Sequence, residues 1–365
     1  MQDARVFIVR TTNACNLACS YCYMPEKGTT NMPLDLAEQL IDQAVELSGD
    51  TLVFIWHGGE PLLMGRRFFE GIIARQSRHD RAFINAVQTN GYGLNDTMAA
   101  FFANHGFHVS VSLDMPRARH DACRRTRKDD RPSFERIAGN LDLLRRHGLP
   151  VSVLAVVGDL TYPVEEYRAF IDEHRLDSLA LNLDFDLALK TDPALGARYT
   201  ALLDGLYRHA EAAQRPFALR EATTVIEHLR HLPVSLCWHS ETFCGDNHCA
   251  ISETGDVYLG CDRFIDGPFD FARLGNLRER PLAEILNAPE ALALNRRLAA
   301  LRVGCTGGCS AAAACRGGCI HEALSIAAAG ATRGNQIGCT ARRALLDTIR
   351  HDFRSESEAP CSATA

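Results

Sequence analysis

Three cysteines fall within one short segment, at Cys15, Cys19 and Cys22, with Tyr23 directly after them. Thiolates spaced by three residues and then two can hold three corners of a cubane [4Fe-4S] cluster and leave the fourth iron without a protein ligand. An iron left open in this way is a place for chemistry, so a small molecule must be able to reach the loop. Structural zinc is the competing arrangement, because Cys pairs at this spacing also build zinc sites. Zinc would need a fourth ligand to close its tetrahedron, and the next cysteine is Cys123.

The other cysteines divide the chain. Of fourteen in 365 residues, nine lie from Cys237 to Cys339, and single ones stand at Cys123 and Cys361. Residues 1–14 hold only a short apolar run at 6–9 with no small-residue cleavage site behind it. No export signal is expected, so the chain is placed in the cytoplasm, where thiols stay reduced and serve as metal ligands rather than disulfides. A net charge of -6 gives no global electrostatic case for nucleic acid or an anionic membrane surface. The most basic stretch, 124–131, contains Asp129 and Asp130 and reads as a solvated face. No apolar run reaches the roughly 18 residues that would span a bilayer. A 46% hydrophobic composition supports ordinary cores at this length, and two domains are expected.

The front half alternates strand and helix. Strands are expected at 6–9, 51–56, 82–88, 108–113, 151–157 and 179–183. Between them run helices opened by Pro33 and Pro163 or marked by the apolar spacing of Phe134, Ile137, Leu141 and Leu144. Six such units imply a parallel sheet, and pattern alone leaves an open doubly wound sheet and a barrel both possible. Polar motifs stand just after the strands: Trp56-His57-Gly58-Gly59-Glu60-Pro61, then Gln88-Thr89-Asn90-Gly91, then Ser110-Val111-Ser112-Leu113-Asp114. Two adjacent glycines permit close approach to the backbone. Asn90 and Asp114 fit turn formation or helix capping as well as ligand contact.

The cysteine loop, with its aromatic, and the Gly-Gly-Glu-Pro segment resemble the radical S-adenosylmethionine (SAM) superfamily. That resemblance implies a partial (β/α)6 TIM-like barrel, with ligands gathered at the carboxyl ends of the strands. It implies a SAM-binding cluster on Cys15, Cys19 and Cys22, and reductive cleavage of SAM to a 5'-deoxyadenosyl radical. It assigns SAM contacts to Tyr23, Gly58, Gly59, Glu60, Asn90, Ser112 and Asp114, with Ser112 on the ribose. Residues 1–190 would form this barrel and 191–236 a helical connector. Residues 346–365 would form a tail with a disordered end.

The back half, 237–345, resembles the SPASM domain, an iron-sulfur extension of radical SAM peptide-modifying enzymes. Cys315-Arg316-Gly317-Gly318-Cys319 matches its CxGGC element, and Gly255-Asp256-Val257-Tyr258-Leu259-Gly260-Cys261 resembles its Gly-x-Val-Tyr-Pro-Cys element. The first pair here, Cys305 and Cys309, is CxxxC rather than CxxC, and one extra residue separates Gly255 from Cys261. The resemblance implies two auxiliary [4Fe-4S] clusters, making three in all. One would use Cys244, Cys249, Cys261 and Cys319, and the other Cys305, Cys309, Cys315 and Cys339. Cys237 could replace Cys244 or Cys249, Cys123 reads as a buried small residue, and the run 311–314 as a tight loop.

Together the two halves resemble maturases that take a hydrogen from a ribosomally made precursor peptide and form an intramolecular side-chain cross-link. Anaerobic sulfatase maturases, which oxidise Cys or Ser to formylglycine, are the close alternative. Their general base follows an auxiliary-cluster cysteine, as Asp262 follows Cys261 here. Peptide epimerisation and a structural zinc-binding protein are the other readings. An external flavodoxin- or ferredoxin-like electron donor is expected as a partner. Peptide recruitment is expected to fall to the barrel mouth, the connector or a separate protein.

Overall fold

The computed structural model describes residues 4–24, 28–232, 244–306, 309–331 and 333–358. Its strands are β1 (Ala4–Thr12), β2 (Leu17–Cys19), β3 (Thr51–Gly58), β4 (Ala82–Thr89), β5 (His108–Ser112), β6 (Arg124–Thr126), β7 (Ser152–Val157), β8 (Ser178–Leu183), β9 (Ala218–Leu219), β10 (His248–Ile251), β11 (Asp256–Leu259) and β12 (Arg273–Asn276). One ten-stranded sheet runs in the order β12-β11-β10-β1-β3-β4-β5-β7-β8-β9, and β2 pairs with β6 in a second sheet. The six strands read from the pattern are β1, β3, β4, β5, β7 and β8, joined in parallel. β1 and β8 do not pair with each other, so this partial (β/α)6 barrel stays open.

Strand periodicity builds the site. Successive side chains point to opposite faces, and on β3 Leu52, Phe54 and Trp56 are fully buried while Thr51, Val53, Ile55 and His57 are only half-buried. The buried face packs on helix Gly65–Gln76 through Trp56 and Phe68. Phe54 stacks on Phe7 at 4.9 Å and on Trp56 at 5.4 Å, and the Trp56 ring meets Phe68 edge-on. Each of these aromatic side chains contributes about 1.5–3 kcal/mol by burial. The opposite face looks inward. Register aligns Gln88 with Ser110, Ser112 with Leu154 and Val156 with Asn182, so the inner residues at the carboxyl ends form one wall.

The helices start where local chemistry stops the strands. Pro33 and Pro163 immediately precede helices Leu34–Ala44 and Val164–Glu173, and Asn95 caps helix Asp96–Asn104 by accepting from the Met98 N–H at 3.0 Å.

Several expectations change. The stretch 191–232 is more than a connector: β9 extends the sheet beyond β8, and helix Pro193–Ala212 packs against helix Ile337–Glu358. The tail region is therefore helical as far as Glu358. The back half joins the barrel directly, since β10 pairs in parallel with β1 before the antiparallel hairpin of β11 and β12. The run at 311–314 is a single helical turn, Ala312–Cys315, rather than a loop. The basic stretch divides: Arg124 and Thr126 are buried by the pairing of β6 with β2, while 127–131 are exposed. Among the described residues no helix is long and apolar enough to cross a membrane.

Candidate active site

The cysteine segment is docked from two sides. β2 pairs antiparallel with β6, setting Cys19 opposite Arg124, and Ser20 N–H donates to Cys123 O at 2.9 Å. From the other side, Gly59 N–H donates to Thr12 O at 2.8 Å and Glu60 N–H to Ala14 O at 2.9 Å. A Cβ on Gly59 would lie 2.0 Å from Ala14 O, and one on Gly58 would lie 2.5 Å from Thr12 O. The two glycines let the chain's own cysteine loop approach, a use the sequence reading had given to a ligand.

Cys15, Cys19, Cys22, Gly58, Gly59, Asn90 and Ser112 line one cavity of about 480 Å³, together with Tyr23, His57 and Asp262. Leu17 N–H donates to Cys15 Sγ at 3.5 Å and Asn90 Nδ2 at 3.7 Å, and donors of this kind tune a metal-bound sulfur. Asn90 also forms its turn, its Oδ1 accepting from Tyr92 N–H at 2.9 Å. Ser112 Oγ accepts from Gln88 Nε2 at 2.8 Å. Burial pushes the Cys19 thiol up to about 11, opposed by Arg124 and reinforced by Cys15 and Cys22. A metal must therefore displace protons to bind here. The three sulfurs stand around one cavity, where Cys15 and Cys22 both lie within electrostatic reach of Cys19.

Two residues assigned to SAM do not line the cavity. Glu60 is fully buried, its carboxylate accepting from Leu62 N–H at 2.9 Å, Thr89 Oγ1 at 2.6 Å and Asn90 N–H at 2.7 Å. Asp114, also fully buried, accepts from Val156 N–H at 2.9 Å and from the Tyr21 hydroxyl. Both carboxylates organise backbone beneath the site.

Arg124 was missed. It lines the cavity at 6% exposure, donates to Tyr21 Oη at 2.8 Å and keeps a buried Nε without a hydrogen-bond partner among the described residues. The composition around it suggested solvent, and only its place next to Cys123, a buried residue, hinted otherwise.

On the opposite wall Asp262 accepts a hydrogen bond from the Tyr23 hydroxyl, with His57 Nδ1 3.5 Å from the same carboxylate. Arg10, inward-facing on β1, bonds both Glu253 and the cavity residue Asp266, fixing the turn after Asp262. His321 also lines the cavity, and burial and Arg263 push its pKa down to about 4.

The back-half cysteines are only partly assembled. Cys261 and Cys319 both lie within the electrostatic reach of Arg263, and Cys315 and Cys339 within that of Arg342. Cys249 sits in register with Phe7 on the outer face of the sheet, 4% exposed, with burial pushing its thiol up to about 12. It does not line the cavity that Asp262 lines. Cys309 is half-buried. Cys237 and Cys361 lie outside the described residues, as do the side chains of Cys244 and Cys305.

A family model described as the radical SAM superfamily matches residues 9–173, and one described as SPASM, an iron-sulfur cluster-binding domain, matches 233–317. The serine-type anaerobic sulfatase-maturating enzyme of Klebsiella aerogenes is 32% identical over 324 residues, covering 84% of this chain and 77% of that enzyme. Its counterpart in Bacteroides thetaiotaomicron is 28% identical over 308 residues, covering 75% and 72%. Among solved structures, native anSMEcpe with bound AdoMet shares a TM-score of 0.80 at 19% identity, covering 97% of this chain and 99% of that one. Streptococcus suis SuiB bound to precursor peptide SuiA shares a TM-score of 0.61 at 16% identity, covering 88% and 73%. At these identities the structural likeness is one of fold. The two domains imply iron-sulfur clusters and SAM as cofactors. The chain thus belongs to the radical SAM superfamily, as an enzyme with a SPASM extension related to the anaerobic sulfatase-maturating enzymes.

Proposed function

We propose that this enzyme is a peptide maturase that removes two hydrogens from a ribosomally made precursor peptide and joins two of its side chains in an intramolecular cross-link. The observation supporting the oxidation that this reading shares with formylglycine formation is the position of Asp262, whose carboxylate lines the same cavity as Cys15, Cys19 and Cys22. A carboxylate there can accept the proton that a substrate group releases after losing a hydrogen atom. When bound, SAM and three [4Fe-4S] clusters, on Cys15/Cys19/Cys22, Cys244/Cys249/Cys261/Cys319 and Cys305/Cys309/Cys315/Cys339, would supply the carbon radical and electron transfer, with a flavodoxin- or ferredoxin-like donor.

The chain's own residues bind, orient and exclude water. Gly58, Gly59, Asn90 and Ser112 offer the polar contacts for SAM, while Glu60 holds the backbone of Asn90 and Asp114 that of Val156. Leu154, Val156 and Phe185 supply an apolar wall, which favours a dry site. Tyr23 orients the Asp262 carboxylate.

Formylglycine formation is the second reading. The identity with serine-type sulfatase-maturating enzymes favours it, as does an aspartate directly after Cys261. Anaerobic reconstitution should give a brown protein with about twelve irons per chain, and a colourless zinc protein ends both readings. Co-expression with short reading frames beside the gene, followed by tandem mass spectrometry, separates the products. Loss of two hydrogens with fragmentation suppressed between two residues supports the cross-link. A serine product that labels with an aldehyde probe moves the assignment to formylglycine, and unchanged mass with deuterium uptake moves it to epimerisation. Asp262→Asn should cleave SAM while modifying peptide on the order of a hundredfold more slowly.

A further inference from the structure

Among the described residues three carboxylates line the cavity, and each is already engaged. Asp262 faces Tyr23 and His57, Asp266 faces Arg10, and Asp184 lies 3.9 Å from Arg119. Glu322, whose charge also reaches Arg263, accepts at Oε2 from Arg342 Nη2 at 3.0 Å. Arg263 lines the same cavity from the short helix Asp262–Phe264. Its guanidinium lies 6.0 Å from the centre of the Tyr23 ring and 5.8 Å from that of Phe185. These rings hold it by cation–π contact and leave its N–H donors without a carboxylate among the described residues. A planar guanidinium fixed between two rings matches a carboxylate in two-point geometry.

We propose that Arg263 is a specificity-determining residue of this enzyme, pairing with a carboxylate of the substrate and so selecting peptides that carry one beside the residue to be modified. The inference rests on the peptide-maturase reading and adds the chemistry of the sequence it accepts. That carboxylate comes either from an Asp or Glu side chain or from the peptide's C-terminus. Asp262 stands one residue away in the chain, so an anion held by Arg263 brings the neighbouring peptide residue to the proposed proton acceptor.

The test uses the reconstituted full-length enzyme with SAM and fluorescein-labelled short peptides. Each has a central Ser or Tyr flanked by Asp, Asn or Lys, and each is made as a C-terminal acid and as a C-terminal amide. Fluorescence anisotropy should show the Asp peptides, or all peptides ending in a free carboxylate, binding on the order of tenfold or more tighter than their neutral partners. The preference should shrink with added salt. Asp peptides that keep their advantage as amides identify a side-chain carboxylate, and an advantage confined to free acids identifies the C-terminus. Arg263→Gln should bind all of them alike, and Arg263→Lys should keep part of the preference. Equal binding of Asp, Asn and Lys peptides by the unaltered enzyme, with no difference between free acids and amides, overturns the role of Arg263 and leaves its charge to Cys261 and Cys319. No binding by any peptide overturns the peptide-maturase reading itself. The contrast between peptides on the unaltered enzyme stands even where an Arg263 variant fails to fold.

Discussion

Gly59→Ala isolates the contact between the Gly-Gly-Glu segment and the cysteine loop. Gly59 has no positive φ, so alanine can adopt its backbone and the cost is steric. The new Cβ would meet Ala14 O at 2.0 Å, and real Cβ atoms essentially never come within 3.0 Å, so the two segments must part by about 1 Å. That movement stretches the bonds from Gly59 N–H to Thr12 O and from Glu60 N–H to Ala14 O, at 2.8 and 2.9 Å, beyond hydrogen-bonding range. Two lost backbone bonds at about 1 kcal/mol each, with partial desolvation of the groups left behind, give about 2–4 kcal/mol. Urea unfolding should show a lowered midpoint, and SAM cleavage should be lost because Cys15 moves with Ala14. Gly65→Ala is the control. Gly65 has φ +72° with nothing within 4 Å of its added Cβ, so it should cost about 1 kcal/mol and leave SAM cleavage intact. A Gly59→Ala protein with the parent midpoint and the parent rate of SAM cleavage would refute the docking role.

Arg124→Gln removes a buried cavity cation and should weaken SAM binding by on the order of tenfold or more, read by equilibrium dialysis; unchanged affinity would restrict Arg124 to its bond with Tyr21. Arg10→Gln leaves Glu253, 4% exposed, without its cation and should cost about 3–5 kcal/mol in urea unfolding, which a second change, Glu253→Gln, should partly restore. Burial, helped by Arg124, pushes the His120 pKa down to about 3. The unfolded chain, with an ordinary His value of about 6.5, therefore binds more protons between those limits. Stability should be full above about pH 6.5 and fall as pH drops toward 3, by about 1.4 kcal/mol per pH unit, and His120→Asn should flatten that slope.

Much of the barrel was readable because its signals are local. The helices expected after Pro33 and around Phe134 to Leu144 are Leu34–Ala44 and Phe134–Arg146, and the six parallel strands match their expected positions within a few residues. Alternation in each strand also settles which side chains face inward, so the motifs at the carboxyl ends fell into one cavity. Less readable were the short pairings between distant segments. β2 and β6 have three residues each, too few to show a period, and their union buries Arg124. β10 reads as a start of the back half, yet it completes the sheet beside β1 because its outer residues continue the core around Phe7.

By itself the sequence determined the spacing of Cys15, Cys19 and Cys22, the alternating strand-helix frame, and the order in which polar residues follow the strands. These depend on spacing along the chain, and spacing survives without a partner. The tertiary structure decided which acid meets which base. Asp262 reaches Tyr23 from 239 residues away, Asp266 is taken by Arg10 and Glu322 by Arg342, and Arg263 is left facing the cavity. Such pairings are a competition among charges brought together only by folding, and a cation that has no carboxylate partner among the described residues is visible only once they stand together.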